Sequence, residues 1–348
     1  MPKKKLSEAI SGGSGPGGSG ATSYDVAELA GVSQSAVSRA FRKGASIAPK
    51  TRERIMRAAK QLGYQPNAFA RGLITKRTNL VAVVISNLTN LYYPEVLAEL
   101  TQRLSAQGHR VLLFSLASES EIDDMLGLIW PYRVDGAIIA ARLKDDQIRQ
   151  FNDRGIPIIL YNRVGDAEPA ASVACDSAAG TRELIKGLLA AGHQRFGIIA
   201  GPEDSYVGEE RLDSARRNLA AAGIEPFVYR GGFDYRSGEA GLHALMEAAG
   251  GKLDAVIATN DAMALGAIDC ARGAYDLCVP EQLSIVGFDG VGPATWGGYQ
   301  LTTVRQPVRR MAQAAVDMLI ERIEQPGMIP EQRLFGGEFL PGRSARMG

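Results

Sequence analysis

Histidine is nearly missing from this chain. Of 348 residues only three are His (His109, His193 and His243), and none stands in a metal-ligand or catalytic-triad pattern. No Gly-Lys-Ser/Thr loop is present to cradle a phosphate. Cysteine is equally scarce. Cys175, Cys270 and Cys278 form an odd set without metal-ligand spacing, which removes a disulfide framework and suits a reducing cytoplasm. They are expected to act as small buried hydrophobes. Long apolar runs are also missing: none approaches the roughly 18 residues that a bilayer span requires, so no transmembrane helix is expected. Lys3–Lys5 lack a following apolar segment, so Met1–Gly20 does not read as a secretory signal. The expectation from these absences is no enzyme, no cofactor, no bound metal and no membrane partner.

What the chain carries is charge, unevenly placed. Its net charge is +1, yet residues 1–77 hold fourteen Lys and Arg against four acids, a surplus of ten, and the remainder shows a deficit of nine. A basic head on an acidic body is the electrostatic footprint of a nucleic-acid binder. The first segment, 1–21, is a Gly/Ser-rich arm around Ser11–Gly20 and is expected to be disordered. Gly13-x-Gly15-x-x-Gly18 within it matches a dinucleotide fingerprint in letters only, because it follows no strand and opens no helix.

Three short helical patterns follow. Thr22 or Ser23 can cap the first, with Val26, Leu29 and Ala30 on one face and Gly31 as its stop. Ser33 can cap a second from Gln34 to about Arg42, facing Val37, Ala40 and Phe41 inward and Gln34, Ser35, Ser38 and Arg39 outward. Pro49 opens a third, with Ile55, Ala58, Ala59 and Leu62 inward. Helix, Gly-containing turn, then a helix led by polar and cationic residues is a helix-turn-helix pattern, whose second helix enters the DNA major groove. A plain three-helix bundle with a solvated face is the alternative that the charge surplus argues against.

Tyr24-Asp25-Val26-Ala27, Ala30-Gly31-Val32-Ser33, Val37-Ser38-Arg39, Lys50-Thr51-Arg52-Glu53 and Leu62-Gly63-Tyr64-Gln65-Pro66-Asn67 together resemble the head of the LacI/GalR (lactose-repressor) family of bacterial transcription regulators. The resemblance runs from Thr22 to Leu340. It implies a DNA-binding domain over 22–66 with Thr22, Tyr24, Gln34, Ser35, Ser38 and Arg39 at the DNA. It also implies a hinge helix and linker over 67–78, where Asn67 caps the helix and Leu73 enters the minor groove as an apolar wedge. Read without the family, that segment is a linker too short to hold a helix alone.

From residue 79 to 348 the periodicity changes. Strands are expected at Leu80–Ile85, Arg110–Ser115, Gly136–Ala140, Ile156–Tyr161, Arg195–Ala200, Ala255–Ala258 and Ser284–Phe288, separated by amphipathic helices. Short apolar strands alternating with helices indicate parallel, doubly wound α/β layers, and about nine of them suggest two lobes. A helix near Val308–Glu324 and a strand near Gln332–Leu340 close the chain. The expected fold is therefore an all-α helix-turn-helix head plus an α/β core of two doubly wound lobes. The resemblance makes that core periplasmic-binding-protein-like, with three crossovers and an effector cleft between the lobes.

Ligands of doubly wound sheets sit beyond the carboxyl ends of the strands. The strand ending at Tyr161 delivers Asn162 and Arg163 there. The resemblance adds Tyr92 and Tyr93 as stacking aromatics, Arg211 as the effector-binding arginine, Phe233 as a cover, Asn260 facing the ligand and Asp289 at a strand end. Arg211 and Asp289 are expected on opposite walls, with Asn260 between them. Aromatic rings with Asn, Arg and Asp suit a polyol, and Arg163 beside Arg211 leaves a carboxylate or phosphate open. The whole reads as a cytoplasmic, homodimeric regulator, expected to be a repressor, that binds a pseudo-palindromic double-stranded DNA operator and a small sugar or sugar-acid effector. A solute-binding protein of a transport system is the rival for the core alone.

Overall fold

The computed structural model describes residues 21–41, 44–65, 77–165 and 168–348, in two compact units divided between Thr78 and Asn79. The Gly/Ser arm and the hinge segment with Asn67 and Leu73 lie outside the described residues.

The head is built from α1 (Ser23–Ala30), α2 (Gln34–Ala40) and α3 (Pro49–Gln61). Thr22 is the cap of α1: its Oγ1 accepts from the Asp25 backbone N–H while the Asp25 carboxylate accepts from the Thr22 N–H at 2.7 Å. Gly31 ends the helix at φ 59°, a left-handed conformation that costs glycine nothing. Ser33 caps α2 through the Ala36 N–H at 3.3 Å, and Pro49 occupies the first turn of α3. Val26, Val37 and Ile55 are fully buried between the helices, and Phe41 meets Tyr64 edge-on at 5.7 Å. Two residues expected inside point out instead. Leu29 is 48 % exposed because Ala27 completes the buried stripe of α1 beside Val26 and Ala30. Leu62 lies beyond the last turn of α3 and is 37 % exposed.

The second unit contains two parallel sheets. The first lobe holds β1 (Leu80–Ser86), β2 (Arg110–Leu116), β3 (Gly136–Ala140), β4 (Ile158–Tyr161), β5 (Ala171–Cys175) and β11 (Gln332–Phe335), in the order β11-β5-β4-β3-β1-β2. The second holds β6 (Phe196–Ala200), β7 (Phe227–Arg230), β8 (Ala255–Ala258) and β9 (Ser284–Val286), in the order β7-β6-β8-β9. A two-stranded antiparallel pair, β10 (Thr303–Arg305) and β12 (Glu338–Leu340), lies outside both.

Strand period explains the double winding. Along β1, Val81, Val83 and Ile85 enter one core, while Ala82 and Val84 enter another on the opposite face. Helices therefore cover both faces of the first sheet: α4 (Tyr93–Ala106), α5 (Ile122–Ile129), α6 (Asp145–Asp153) and the long α11 (Val308–Glu324). The second lobe carries α7 (Ser177–Ala190), α8 (Tyr206–Ala221), α9 (Tyr235–Ala248) and α10 (Asp261–Ala274). The chain crosses between lobes three times: after β5 into α7, after β10 into α11, and from β11 to β12. The strand expected over Gln332–Leu340 is in fact two strands, broken at Gly336-Gly337. There the chain changes sheets, and a Cβ on Gly337 would stand 2.5 Å from Val304 Cγ1.

Helices α9 and α10 approach backbone to backbone. A Cβ on Gly238 would meet the Met263 carbonyl oxygen at 2.1 Å, and one on Gly266 the Tyr235 carbonyl oxygen at 2.0 Å. Neither neighbour is a flexible side-chain end, so the helices must separate to admit a methyl group. Gly266→Ala is expected to lower the unfolding free energy by about 1–3 kcal/mol, the range for overpacking. Urea denaturation checks it, and an unchanged midpoint contradicts the close approach.

Candidate functional site

A cavity of about 380 Å³ lies between the two lobes of the core, at the carboxyl ends of the strands. Tyr92, Tyr93, Asn162, Arg163, Arg211, Phe233 and Asp289 all line it. Asn260 does not. Its Oδ1 accepts from the Met263 N–H at 2.9 Å as the cap of α10, and its Nδ2 donates to the Phe233 carbonyl at 2.9 Å. Both ends of this fully buried amide are thus used to hold the second lobe together.

Arg211 and Asp289 also differ from their expected arrangement. Instead of occupying opposite walls they form a direct ion pair, Nη1 to Oδ1 at 3.0 Å, with side chains 4 % and 3 % exposed. Arg211 donates further to the Thr259 carbonyl at 2.7 Å, and its guanidinium lies 3.9 Å over the Phe288 ring. Burial pushes the Asp289 carboxyl above the ordinary range, although Arg211 and the Gln306 amide pull it back.

The pair belongs to a longer chain of bonds. Gln306 Nε2 donates to Asp289 Oδ1 at 2.7 Å, and Gln306 Oε1 accepts from Asn162 Nδ2 at 2.8 Å. Asn162 Oδ1 in turn accepts from the Cys175 N–H at 3.1 Å. Gln306 sits on the second crossover and Cys175 at the start of the first, so the cleft floor is wired to the inter-lobe connections. Arg163, 2 % exposed, donates to the carbonyls of Asn162 at 2.9 Å and Ala140 at 3.5 Å.

The walls are aromatic. Tyr92 and Tyr93 meet edge-on at 5.4 Å, after a turn in which Asn90 Oδ1 accepts from the Tyr92 N–H. Phe233 enters from the other lobe and fills the space above Gly201, where a Cβ would stand 2.3 Å from its ring. Four lining residues hold left-handed backbone without being glycine: Asn87 (φ 54°), Asn162 (56°), Phe233 (63°) and Asp289 (121°). Such strain is characteristic of binding sites.

Two hydrogen bonds cross the cleft mouth. Asn87 Nδ2 donates to the Gly232 carbonyl at 3.0 Å, and Ser118 Oγ donates to Asp204 Oδ2 at 2.9 Å. None of these four residues, nor Gln306, was singled out from the sequence. Asn87 and Ser118 follow strand ends, which is the signal that could have found them. Gln306 follows β10, a strand of three residues too short to register as a pattern.

On the head, Gln34, Ser35 and Arg39 are exposed on α2, Ser38 is half-buried, and Tyr24 is 72 % exposed on α1. Gln34 Nε2 is within 3.3 Å of Ser23 Oγ, which orients its amide. Thr22 is committed to its capping box. His193 is a structural residue, with Nδ1 2.8 Å from the Leu188 carbonyl and Nε2 2.8 Å from Ser284 Oγ. Among the described residues no group of three or more His, Cys, Asp and Glu could hold a metal ion, and no helix is long and apolar enough to cross a membrane.

Removing one member of a buried ion pair strands the other. Arg211→Ala is expected to cost about 3–5 kcal/mol of stability at neutral pH. Without the guanidinium, Asp289 keeps a folded-state pKa above its unfolded value, so stability falls as pH rises through the interval between them. The deficit should therefore shrink toward pH 4 and in the double variant Arg211→Ala/Asp289→Asn. Denaturation midpoints at several pH values test this, and a pH-independent deficit contradicts the pairing.

Comparison with known proteins agrees with both units. The family described as bacterial regulatory proteins, lacI family, matches residues 22–67, and a periplasmic binding protein-like domain matches 185–345. The regulator CelR of Thermobifida fusca is 35 % identical over 309 residues, covering 86 % of this chain and 90 % of the relative. AscG of Escherichia coli K12 is 30 % identical over 331 residues, covering 93 % and 95 %. Among solved structures, a lac repressor dimer bound to operator and the anti-inducer ONPF superposes with a TM-score of 0.82 at 27 % identity, covering 94 % of this chain and 99 % of that one. A complex of CelR with cellobiose gives 0.70 at 32 % identity, covering 93 % and 100 %.

Proposed function

This chain belongs to the LacI family of bacterial regulatory proteins, and we propose that it represses its genes under control of a neutral sugar held in the inter-lobe cleft. It is a DNA-binding transcription regulator, not a transport solute-binding protein. We assign residues 22–66 to operator reading, 67–78 to the hinge and 79–348 to effector binding and dimerisation, in a cytoplasmic protein without catalytic activity. Burial pushes the Cys175 thiol behind the cleft up to about 12, which keeps it protonated and unsuited to nucleophilic attack.

The observation that carries the neutral-sugar reading is the buried Arg211–Asp289 pair under aromatic walls. The ionic side chains lining the cleft are Arg163 and Arg211 on one side of the balance and Asp204 and Asp289 on the other. Arg211 is neutralised within 3.0 Å, and a further carboxylate, Glu210, lies in the field of both arginines. A ligand carboxylate or phosphate would have to compete with these groups for cations already engaged. Hydroxyls meet no such competition: they can donate to carboxylates and accept from guanidiniums while the ring's C–H faces lie on Tyr93 and Phe233. The relatives' titles point the same way, since CelR is recorded with cellobiose.

In a thermal-shift assay, neutral sugars should raise the melting midpoint and hexuronates and sugar phosphates should not. The reverse ranking refutes the neutral reading. Each sugar that shifts the midpoint should then change operator affinity.

We assign Gln34, Ser35 and Arg39 to base reading, with Tyr24 and Ser38 beside them, because these side chains share the solvent face of α2 and α1. Arg39 offers a bidentate fork to guanine. Arg39→Ala should cost about 1–3 kcal/mol on the operator and relax one base pair per half-site. Equal weakening on every DNA sequence would make Arg39 a phosphate contact instead.

A further inference from the structure

We infer that the Ser118–Asp204 hydrogen bond is a length gate, dividing the cleft from an annex that receives the further rings of a linear oligosaccharide. The inference rests on the reading of the cleft as a neutral-sugar site and deepens it from sugar to chain length.

Asp204 lines two cavities at once. On one side is the cleft of about 380 Å³, toward the small end of the range of about 300–1,000 Å³ for pockets that enclose a small molecule. On the other is a polar hollow of about 500 Å³, bordered by Asp123, Arg142, Lys144 and Asp145. Ser118 reaches from the first lobe to Asp204 on the second at 2.9 Å and closes the passage between them. Breaking that one bond therefore joins the two spaces without disturbing the buried floor.

The annex has the chemistry of a hydroxyl-rich, uncharged extension. Its cations and carboxylates are interspersed, so it offers acceptors to sugar hydroxyls and donors to sugar oxygens within a short span. A phosphate would face Asp123, Asp145 and Asp204 together, three carboxylates against two cations. The walls are anchored: Gln147, fully buried, donates from Nε2 to Asp123 Oδ1 at 2.7 Å and accepts from the Lys144 N–H at 2.8 Å. Asp145 is held by the Glu168 N–H at 2.9 Å. Such pre-positioned polar groups lower the ordering cost of binding. Apolar surface is scarce there compared with the Tyr93 and Phe233 walls of the cleft. The annex thus adds reach to a ligand already anchored in the cleft, and the Ser118–Asp204 bond sets how readily a ligand can extend into it.

The test is isothermal titration of the full chain with gluco-, xylo-, manno- and galacto-oligosaccharides of one to four rings. Ser118→Ala and Asp204→Ala each remove the bond from one side. Both should raise affinity for members long enough to leave the cleft by about two- to tenfold, the fold-change of one net hydrogen bond, with no comparable gain for the shorter ones. Asp204→Asn keeps an acceptor for the Ser118 hydroxyl and should retain the wild-type length preference. Equal changes at every length would mean that the bond only latches the lobes, overturning the gate while leaving the sugar reading in place. Silence of the wild-type chain toward every member overturns both.

Discussion

A guanidinium and a carboxylate buried against each other are the constraint around which the core is arranged. Taking Arg211 and Asp289 out of water is costly, and their mutual attraction offsets that cost only when the remaining donors and acceptors are also met. The second lobe supplies those partners from separate elements: the Thr259 carbonyl after β8, the Phe288 ring after β9, and Gln306 on the crossover into α11. Each partner fixes the end of a different strand or connection. Gln306 then engages Asn162 on the first lobe, and Asn162 the start of the first crossover. The polar floor of the cleft and the joints between the lobes are therefore one hydrogen-bonded object. A displacement of one member is felt by the next, because an unsatisfied buried group costs more than a satisfied one gains.

The aromatic cover depends on a second, smaller arrangement. Phe233 stands at φ 63°, a conformation unfavourable for a bulky residue. Asn260 holds its carbonyl, and the bare backbone of Gly201 leaves room for its ring. Asn260 is thus one step behind the cleft wall, where its short amide both caps α10 and secures the strained turn. The same economy appears at Asp261, whose buried carboxylate accepts from Thr303 Oγ1 at 2.6 Å and the Val291 N–H at 2.8 Å. Burial, with Asp289 nearby, pushes that carboxyl up to about 7. Polar residues at the carboxyl ends of β8 and β9 therefore serve the site by building its frame.

Most of the architecture was legible because its signals are local and periodic. Capping residues, Gly31 and Pro49 mark the head, and runs such as Val81–Ile85 mark buried strands. The strands that escaped, β5, β7 and β10, are short and read as Ala-Ser-Val-Ala-Cys, Phe-Val-Tyr-Arg and Thr-Val-Arg, with too few residues for a period. The break at Gly336-Gly337 escaped for a different reason: only the tertiary change of sheet requires it. At the site, residue type and strand-end position sufficed to bring seven of the eight candidates to the cleft. What no one-dimensional pattern contains is who faces whom. The direct meeting of Arg211 and Asp289, the retreat of Asn260, and the reach of Asn87 and Ser118 across the mouth are all properties of side-chain direction after folding.

The balance of these interactions bears on how a ligand can control the protein. An effector moves a conformational equilibrium only by binding its two states differently. A cleft stapled shut by many strong contacts would leave a ligand nothing to decide, and one with no cross-lobe contact would leave the closed form too rare to select. Here the mouth is crossed by two single hydrogen bonds, Asn87 to Gly232 and Ser118 to Asp204. Each is worth about 0.5–1.5 kcal/mol net, and the one at Asp204 lies near solvent, where the value is at the low end. Together they hold the lobes by no more than about 3 kcal/mol, within the range over which a micromolar ligand, at about 8 kcal/mol of binding free energy, can set the populations. The strong, buried pair lies on the floor, where the lobes remain joined in either state, and the weak pairs lie at the rim, where they must part. That separation of strong from weak is the physical condition for a cleft that opens without coming apart.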